Sequence, residues 1–391
     1  MTRAASESTT APPRAARGAV AVIFLVNGAV FANWVPRIPA VKAELGLTEG
    51  LLGLALLGMG IGGLCGSVLA GTLVARYGSR RVTLTSCLLL SAAFVLPGVA
   101  PSWPALAGAL VLIGAADASM DVGMNAHGVA VERRYGRSIM NGFHAFWSLG
   151  AVLGSLAGSF AAARDFPVAW HLGAAGLVLG LLAVASAPAM LTAGADRQPT
   201  TSRPQLALPT RAVGVLGLLA LLAALVEDTP ASWSAVYLRE DLGATPGVAG
   251  LAYAAFTAAM TAGRLLGDRA VERFGPVRTT RAGTALAAAG LACALVIGSP
   301  AAAITGFALA GLGMATVFPL AFSAAGHLPG LPPGQAIGMV ALIARFGVLL
   351  GPPLIGGVAE LLSLPLALGL VVAASAGIAV LAHGLAPARQ P

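Results

Sequence analysis

Long apolar segments fill almost the whole chain, and they constrain its fold more than any other feature. A helix needs roughly 20 mainly apolar residues to cross about 30 Å of hydrocarbon. Polar, proline and glycine breaks divide the 391 residues into twelve such segments, at 18–36, 51–75, 82–99, 105–130, 139–162, 168–190, 212–235, 248–268, 280–298, 301–325, 336–359 and 364–384. We therefore predict an all-α membrane protein with twelve transmembrane helices.

The composition agrees with a membrane protein and excludes several other classes. Apolar residues make up 57% of the chain and charged residues 10%, whereas an average soluble chain has about 45–50% and about 25%. The 51 glycines and 25 prolines are tolerated in membrane helices, where neighbouring helices satisfy freed backbone groups. Soluble enzymes, nucleic-acid-binding modules and disordered proteins are thereby excluded. The net charge of +8 comes from scattered short clusters and does not indicate a nucleic-acid partner.

Polar segments divide the chain into two membrane domains. The longest internal one, at 191–211, predicts a cytoplasmic linker between a six-helix bundle at 18–190 and a second at 212–384. Residues 1–17 are rich in Pro, Ser and Thr and lack an apolar core, so we expect a disordered cytoplasmic tail and not a cleaved signal. Residues 385–391 form a second short cytoplasmic tail.

The basic residues predict how the helices are oriented. With the N-terminus inside, seventeen of the 23 Lys and Arg residues fall in cytoplasmic segments, four fall outside, and Arg264 and Arg345 lie within spans. An excess of Lys and Arg in short loops marks the cytoplasmic side. We therefore expect a multi-pass protein of the cell inner membrane with both termini in the cytoplasm.

The two halves repeat each other at an offset of 197 residues. The segment 66–81 aligns with 263–278 without a gap, and 44–50 aligns with 241–247. Gly114, Gly150 and Gly154 also meet glycines at 311, 347 and 351. Two parallel repeats related by an axis along the membrane normal are typical of alternating-access transporters.

The loop between the second and third spans carries a resemblance to a known family. Its sequence, Gly71-Thr-Leu-Val-Ala-Arg76-Tyr-Gly78-Ser-Arg80-Arg81, and the echo ending at Arg278 resemble the signature loop of the major facilitator superfamily. The resemblance implies the fold of that family and a latch between the halves at the cytoplasmic side. An aspartate usually stands where this chain has Ala75, so the first-half latch has lost its acid. The gate residues implied are Gly71, Arg76, Gly78, Arg80, Arg81, Arg264, Asp268, Glu272 and Arg273.

Within the superfamily, segments 31–47 and 120–132 look most like the fucose-permease-like branch, whose members are associated with proton-coupled sugar uptake. An acidic residue four places before an asparagine on helix 4 is linked to coupling in that branch, and Asp121 before Asn125 matches the spacing. The helix 1 acid of that branch has no equivalent, because Asn33 and Trp34 occupy its neighbourhood. The two-acid coupling scheme is therefore not carried over.

Ionisable residues inside the predicted spans are the main functional candidates, since each costs about 2.5–3.5 kcal/mol to insert. Asp117, Asp121 and Asn125 fall at i, i+4 and i+8 and form one stripe on helix 4. Two carboxylates one turn apart in a low dielectric resist joint ionisation, which suits proton coupling. His144, one turn into helix 5, is a candidate relay partner. The alternatives are structural pairing of the acids, for example with Arg345, and a histidine bonded to the helix backbone.

Further polar residues predict a substrate site between the halves. Thr229-Pro230 after Glu227 and Asp228 predicts a break in helix 7, matched in helix 1 by Asn33-Trp34-Val35-Pro36. Trp34 and Trp233 are candidates to stack on a substrate ring, with interfacial anchoring as the alternative. Arg264 and Asp268, at i and i+4, are expected to form a structural pair. The candidate substrate-binding residues are Asn27, Asn33, Trp34, Asn125, Asn141, Glu227, Trp233 and Arg345.

These features predict a secondary active transporter of a small polar solute, of which a sugar is one candidate, coupled to protons. The alternatives are a drug or metabolite exporter on the same fold and a membrane sensor or scaffold that does not transport. We expect no enzyme, because the chain has no HExxH motif, nucleophile–base signature or metal-ligand cluster. We expect no cofactor and no bound metal. The expected partners are the solute, protons and the lipid bilayer, with the chain acting as a monomer.

Overall fold

The fold is a bundle of long helices, as predicted. A computed structural model of the chain describes residues 13–135, 139–192, 210–328 and 333–386, and every regular element in these ranges is helical. The twelve long helices are α1 (Pro13–Trp34), α2 (Glu49–Tyr77), α3 (Ser79–Ala93), α4 (Trp103–Tyr135), α5 (Met140–Ala163), α6 (Val168–Ser186), α7 (Arg211–Val236), α8 (Leu251–Phe274), α9 (Pro276–Ile297), α10 (Pro300–Met314 and Val317–Gly326), α11 (Pro333–Leu361) and α12 (Leu364–Leu381).

Eleven of the twelve helices, with the short turns that extend some of them, are long and apolar enough to cross a membrane within the described ranges. The exception, α8, has 24 residues, but five charged side chains crowd its second half. They are Arg264, Asp268, Arg269, Glu272 and Arg273. The first half of α8 is apolar and buried, through residues such as Tyr253 and Phe256. The predicted twelfth span is therefore present as a helix whose last turns are strongly polar.

The ends of the predicted domains differ from the structure at three places. Arg211, expected in the linker, begins α7, and Leu385, expected in the second tail, ends a 3₁₀ turn (Ala382–Leu385). Helix α1 begins at Pro13, so residues 13–17, which we expected in the disordered tail, are helical. Most of the predicted linker lies outside the described residues. Its first residue, Leu191, is buried, and the His127 ring on α4 accepts a hydrogen bond from its backbone N–H.

Two pairs of glycines show the internal repeat in the backbone. Gly46 and Gly243 have φ of 60° and 63°, and Gly78 and Gly275 have φ of 86° and 79°. Both pairs are separated by the 197 residues of the sequence repeat. Positive φ is open to glycine at no steric cost, so these residues form the same tight turns in each half. The signature loop and its echo are thus one structural element used twice.

Close helix contacts repeat at the same offset. A Cβ atom added to Gly114 on α4 would overlap the carbonyl oxygen of Met59 on α2, and one added to Gly311 on α10 would overlap that of Phe256 on α8. Gly150 and Gly154 on α5 meet the α1 backbone in the same way. Small residues let helix backbones approach closely in membranes. The spaced glycines of α5 are therefore packing positions.

The two predicted helix breaks differ from each other. Helix α1 ends at Trp34 and continues as a 3₁₀ turn (Val35–Arg37) and a short helix (Ile38–Glu44), as predicted. The predicted break at Thr229-Pro230 is wrong, because Pro230 lies inside a continuous α7. The Thr229 and Ser234 hydroxyls donate to the carbonyls of Leu225 and Pro230. Both bonds stay within the helix, which continues past the proline to Val236.

Polar contacts join the two halves at the end of the bundle opposite the termini, which we call the far side. Lys42 Nζ lies 2.5 Å from Glu240 Oε2 in the second half and 3.1 Å from Glu49 Oε1 in its own half. Gly50 N–H donates to Glu360 Oε2 at 3.0 Å, and Ser155 Oγ donates to the Gly250 carbonyl at 3.0 Å. The far side is therefore closed.

Candidate substrate-binding site

Two adjoining cavities, which we call the first and second lobes of one site, lie between the halves. The first lobe has a volume of about 320 Å³ and is bounded mainly by α1, α2, α4, α7 and α11. The second has about 330 Å³ and is bounded by α1, α4, α5, α7 and α8. Asp117 and Asp121 line both lobes. Two of the three residues of the predicted stripe on α4 thus face the space between the halves.

Asp117 is held by a chain of hydrogen bonds that crosses three helices. Trp147 Nε1 on α5 donates to Asn27 Oδ1 on α1 at 2.8 Å, and Asn27 Nδ2 donates to Asp117 Oδ1 at 2.8 Å. Because the indole nitrogen only donates, it fixes the orientation of the Asn27 amide. The amide then presents its NH₂ group to Asp117, whose Oδ1 must accept. Asn27 therefore orients the carboxyl group.

Asp121, one turn further along α4, is more open than Asp117. Its carboxylate accepts a hydrogen bond from Asn125 Nδ2 at 2.9 Å, and the same amide reaches the Asp121 carbonyl. Asp121 is exposed, while Asp117 is half-buried. Asn125 lines neither lobe, so its observed contact is with Asp121.

Two adjacent acids on α7 face different lobes. Glu227 lines the second lobe, with its Oε2 atom 3.6 Å from Arg264 Nη2 on α8. Asp228 lines the first lobe, where its Oδ2 accepts a hydrogen bond from the Ser232 hydroxyl at 3.3 Å. The predicted pair of Arg264 with Asp268 is wrong, since Arg264 turns inward to the cavity. Its partner comes from another helix and not from its own next turn.

The remaining charged candidates also reach the cavity. Arg345 on α11 lines the first lobe and donates to Ser67 Oγ on α2 at 3.1 Å, which joins the halves at mid-helix. His144 lines the second lobe with both aspartates and packs edge-on against Phe24. The predicted residues Asp117, Asp121, His144 and Arg345 therefore all line the cavity.

Other predicted residues lie elsewhere. Asn33 is buried, donates to the Ala29 carbonyl and contacts His171 Nε2 on α6 at 3.0 Å, outside both lobes. Trp233 is fully buried and packs against Gly356 near the closed far side, so it neither lines the cavity nor lies at the membrane surface. Trp34 does line the first lobe. The side chain of Asn141 lies outside the described part of the structure.

Apart from Arg264, which lines the second lobe, the predicted gate residues lie at the end of the bundle that carries the termini. Gly71, Arg76 and Arg81 are exposed. The Arg76 guanidinium lies over the ring of Tyr77, and its repeat partner Arg273 lies over Phe274. Arg80 is half-buried, and Asp268 and Glu272 are exposed. In the described residues, no salt bridge joins these loops across the halves. Their role as a latch stays a prediction.

Several cavity residues were not predicted. Among them are Phe31, Trp147, Ser232, Tyr253 and Thr257. Asp228 also lines the cavity; it stands beside Glu227 in the sequence but is not among the predicted substrate-binding residues. Tryptophan and tyrosine inside apolar spans are common packing residues, so the sequence offers no signal that separates these from core residues. Ser232 alone had a signal, because it follows Asp228 by one helical turn.

Comparison with known proteins identifies the family. The profile of the Major Facilitator Superfamily matches residues 20–223 and again residues 216–391. The chain belongs to this superfamily. It is 36% identical over 362 residues to an uncharacterized MFS-type transporter of Yersinia pestis, covering 90% of this chain and 93% of the relative. It is also 35% identical over 360 residues to the membrane protein MosC of Rhizobium meliloti, covering 91% and 86%. The chain is thus a membrane transporter and not an enzyme.

Solved structures share the fold over nearly the whole chain. The nucleoside transporter NupG has a TM-score of 0.74 at 12% identity, covering 94% of this chain and 98% of that one. An inward-facing bacterial homologue of the human lysosomal transporter Spinster has 0.71 at 15%, covering 94% and 93%. FucP in its outward conformation has 0.63 at 16%, covering 95% and 99%. These likenesses confirm the predicted major facilitator fold.

Proposed function

We propose that this protein is a secondary active transporter that moves a small polar solute together with protons by alternating access. The observation that carries the proposal is the position of Asp117 and Asp121, which line both lobes of a cavity between the two repeats. Acidic residues inside membrane bundles are costly and mark ion or proton pathways. A site between two repeats is also where substrate and coupling ion meet in such transporters.

The two aspartates differ in ways that suit coupling. Asp117 is tied to Asn27 and, through it, to Trp147. Asp121 is exposed and carries its amide partner on its own helix, so we assign proton uptake and release to Asp121. Two neighbouring carboxylates titrate as a coupled pair, and Asp117 is the second member. His144, in the same lobe as both, is a candidate to pass the proton onward.

The closed far side supports a direction of access. Lys42, Gly50 and Ser155 join the halves there, while Asp121 and Arg345 stay exposed at mid-helix. With the predicted orientation, this conformation faces the cytoplasm. We propose a monomer in the cell inner membrane with both termini inside and the closed far side toward the exterior.

The substrate proposal is a small polar solute, and a sugar is the first class to test. FucP is named a fucose:proton symporter and NupG a nucleoside transporter. Both names describe hydroxylated solutes, and both proteins share this fold. The polar walls, with four carboxylates and two arginines, favour such a solute over an apolar drug. A drug or metabolite exporter on the same fold is the second candidate. The spaced glycines and two prolines of α11 resemble the motif of drug antiporters, but that motif belongs on the fifth helix, where this chain lacks the proline, so it does not establish efflux.

The test is solute-driven proton movement in proteoliposomes of the purified chain. Sugars and nucleosides are added one at a time outside lightly buffered vesicles, and the external pH is followed. Symport predicts alkalinisation by at least one solute in the wild type and its loss in Asp121→Asn. The control is Asp165→Asn, which removes an exposed far-side carboxylate. Asp165 has a φ of 52°, and asparagine tolerates this left-handed conformation.

Three other results would contradict parts of the proposal. Persistent alkalinisation in Asp121→Asn removes that residue from the coupling pathway. Acidification on adding a solute indicates antiport and favours the exporter. Absence of any solute-driven flux, with or without protons, in folded wild-type protein favours a sensor or scaffold.

A further inference from the structure

Within the part of the chain that the structure describes, Asp228 is the aspartate of the cavity that has neither a basic partner nor an amide donor. In the described residues Asp117 and Asp121 also lack a cation within 4.0 Å, but each accepts a hydrogen bond from an asparagine. Glu227 lies beside Arg264, and Asp121 shares the first lobe with Arg345. In the described residues, no nitrogen of Lys, Arg or His lies within 4.0 Å of Asp228, which receives only the Ser232 hydroxyl. The first lobe thus holds three aspartates and one arginine. Asp228 is half-buried, and a charge taken out of water calls for a partner. The described residues supply no cation for it.

A second observation at the same lobe points to a ligand. Trp34 lines this lobe and is 2% exposed, and its Nε1 atom is buried without a hydrogen-bond acceptor. A buried indole N–H usually finds a partner. The two residues that carry these unmatched groups, Asp228 and Trp34, therefore line the same cavity.

The walls around these groups are aromatic. Phe31, Trp34 and Phe346 line the first lobe with Asp228. The faces of aromatic rings attract cations, most strongly when water is excluded. A carboxylate among aromatic rings, such as Asp228, suits an organic cation. The indole N–H of Trp34 suits an oxygen of the same ligand that can accept a hydrogen bond.

We infer that the solute carries a protonated amino group bound at Asp228, and an oxygen atom that accepts from Trp34. This assignment rests on the proposed function, because it names the substrate class of the same cavity. The amino group supplies the positive charge that the first lobe lacks, with Ser232 as a hydroxyl partner beside it. Phe31 and Phe346 cover the carbon skeleton. The inference excludes carboxylates and phosphates, which three aspartates would repel.

A neutral sugar is the strongest competitor. Carboxylates and aromatic faces also bind hydroxylated rings, and Trp34 would serve either ligand. The difference lies in charge, because a sugar leaves the charge of Asp228 without a counter-charge. Ligand pairs that differ only in an amino group therefore separate the two classes.

The experiment measures binding of two matched pairs to the purified full-length chain in detergent at pH 7, by calorimetry and by the rise in the thermal unfolding midpoint. The pairs are glucosamine with glucose and 2-aminoethanol with ethylene glycol. We expect the amine of at least one pair to bind tenfold or more tightly than its neutral partner. Asp228→Asn should reduce that preference below twofold. Glu44→Gln, which removes an exposed far-side carboxylate, should leave the preference unchanged.

A second variant keeps the test decisive if Asp228→Asn does not fold. Trp34→Phe removes the donor and keeps an aromatic ring, so it should weaken both members of a pair equally and preserve the amine preference. Equal binding of amine and neutral ligand to the wild type would overturn the inference, as would binding of neither amine to folded protein. An amine preference that persists in Asp228→Asn would overturn the role of Asp228.

The outcome is separate from that of the proton-coupling proposal. Binding in detergent requires no gradient and no transport. Proton-coupled transport of a neutral sugar would sink the amine class and leave the coupling proposal standing. Amine binding without proton movement in vesicles would support the amine class and contradict the coupling proposal.

Discussion

The two halves of the molecule are alike in scaffold and unlike in chemistry. The turns at Gly78 and Gly275 and the close contacts of Gly114 and Gly311 repeat at the offset of 197. The cavity acids do not repeat. In this register, Asp117 and Asp121 correspond to Met314 and Phe318. The helix backbones must approach equally closely in both halves, so the glycine contacts repeat. A solute in one central site contacts each half with a different part of its surface, so the cavity side chains do not repeat.

The α7 acids show the same asymmetry from the other side. Glu227 and Asp228 correspond to Val30 and Phe31 on α1. The two cavity arginines, Arg264 and Arg345, both belong to the second half and correspond to Ser67 and Ser148 of the first half. Arg345 donates to Ser67 across the interface. The repeat thus places an arginine position of one half opposite a serine position of the other.

We expect the largest loss of stability at the repeated glycine contacts, where it tests whether the two halves share one scaffold. Gly114→Ala and Gly311→Ala should each destabilise the protein by about 1–3 kcal/mol or more, because the new Cβ meets a backbone carbonyl that cannot move alone. Thermal unfolding in detergent measures the loss. Gly108→Ala on the same helix as Gly114 is the control, since a Cβ there meets nothing within 4 Å. A small loss in one half and a large one in the other would show that the scaffold is not equivalent.

A smaller effect is expected at the turn glycines. Gly78 has φ 86° and ψ 152°, and Gly275 has φ 79° and ψ 162°, a region that is essentially restricted to glycine. Gly78→Ala and Gly275→Ala should each cost about 1–2 kcal/mol by the same measurement. Gly71→Ala serves as the matched control, because it lies within α2 of the signature loop and its Cβ meets nothing within 4 Å. If both substitutions left the stability unchanged, the expected backbone strain at these turns would be contradicted.

The smallest effect is expected at the far-side closure, where only Lys42 links the halves through an ion pair in the described residues. Glu240→Gln should shift the conformational equilibrium toward far-side opening by about 1 kcal/mol, or about fivefold. Spin labels at Ala43 and Thr245, with Cys65 and Cys293 replaced by alanine, report the distance between the halves.

Glu49→Gln sharpens this test, because Glu49 pairs with Lys42 inside the first half. It should leave the label distances nearly unchanged. Equal lengthening in both variants would mean that the charge of the cluster matters and the contact across the halves does not.

Much of the site could be predicted because an ionisable residue in an apolar span is a strong local signal. Asp117, Asp121, His144 and Arg345 stood out for this reason and all line the cavity. Asn33 and Trp233 stood out equally but contact the neighbouring helices α6 and α11 and not the cavity. A linear sequence shows that a polar group is inside the membrane, but not which of two packed helices it faces.

The sequence by itself determined the number of helices, their division into two halves and the register of the repeat, because hydrophobic length and glycine spacing are read along the chain. Only the tertiary structure decided the partners. Arg264 forms an ion pair with Glu227 and not with Asp268. Pro230 stays inside a continuous helix, and Asp228 is left without a cation in the described residues. Such outcomes depend on distances between helices that are far apart in sequence, and these are set by packing across the whole bundle.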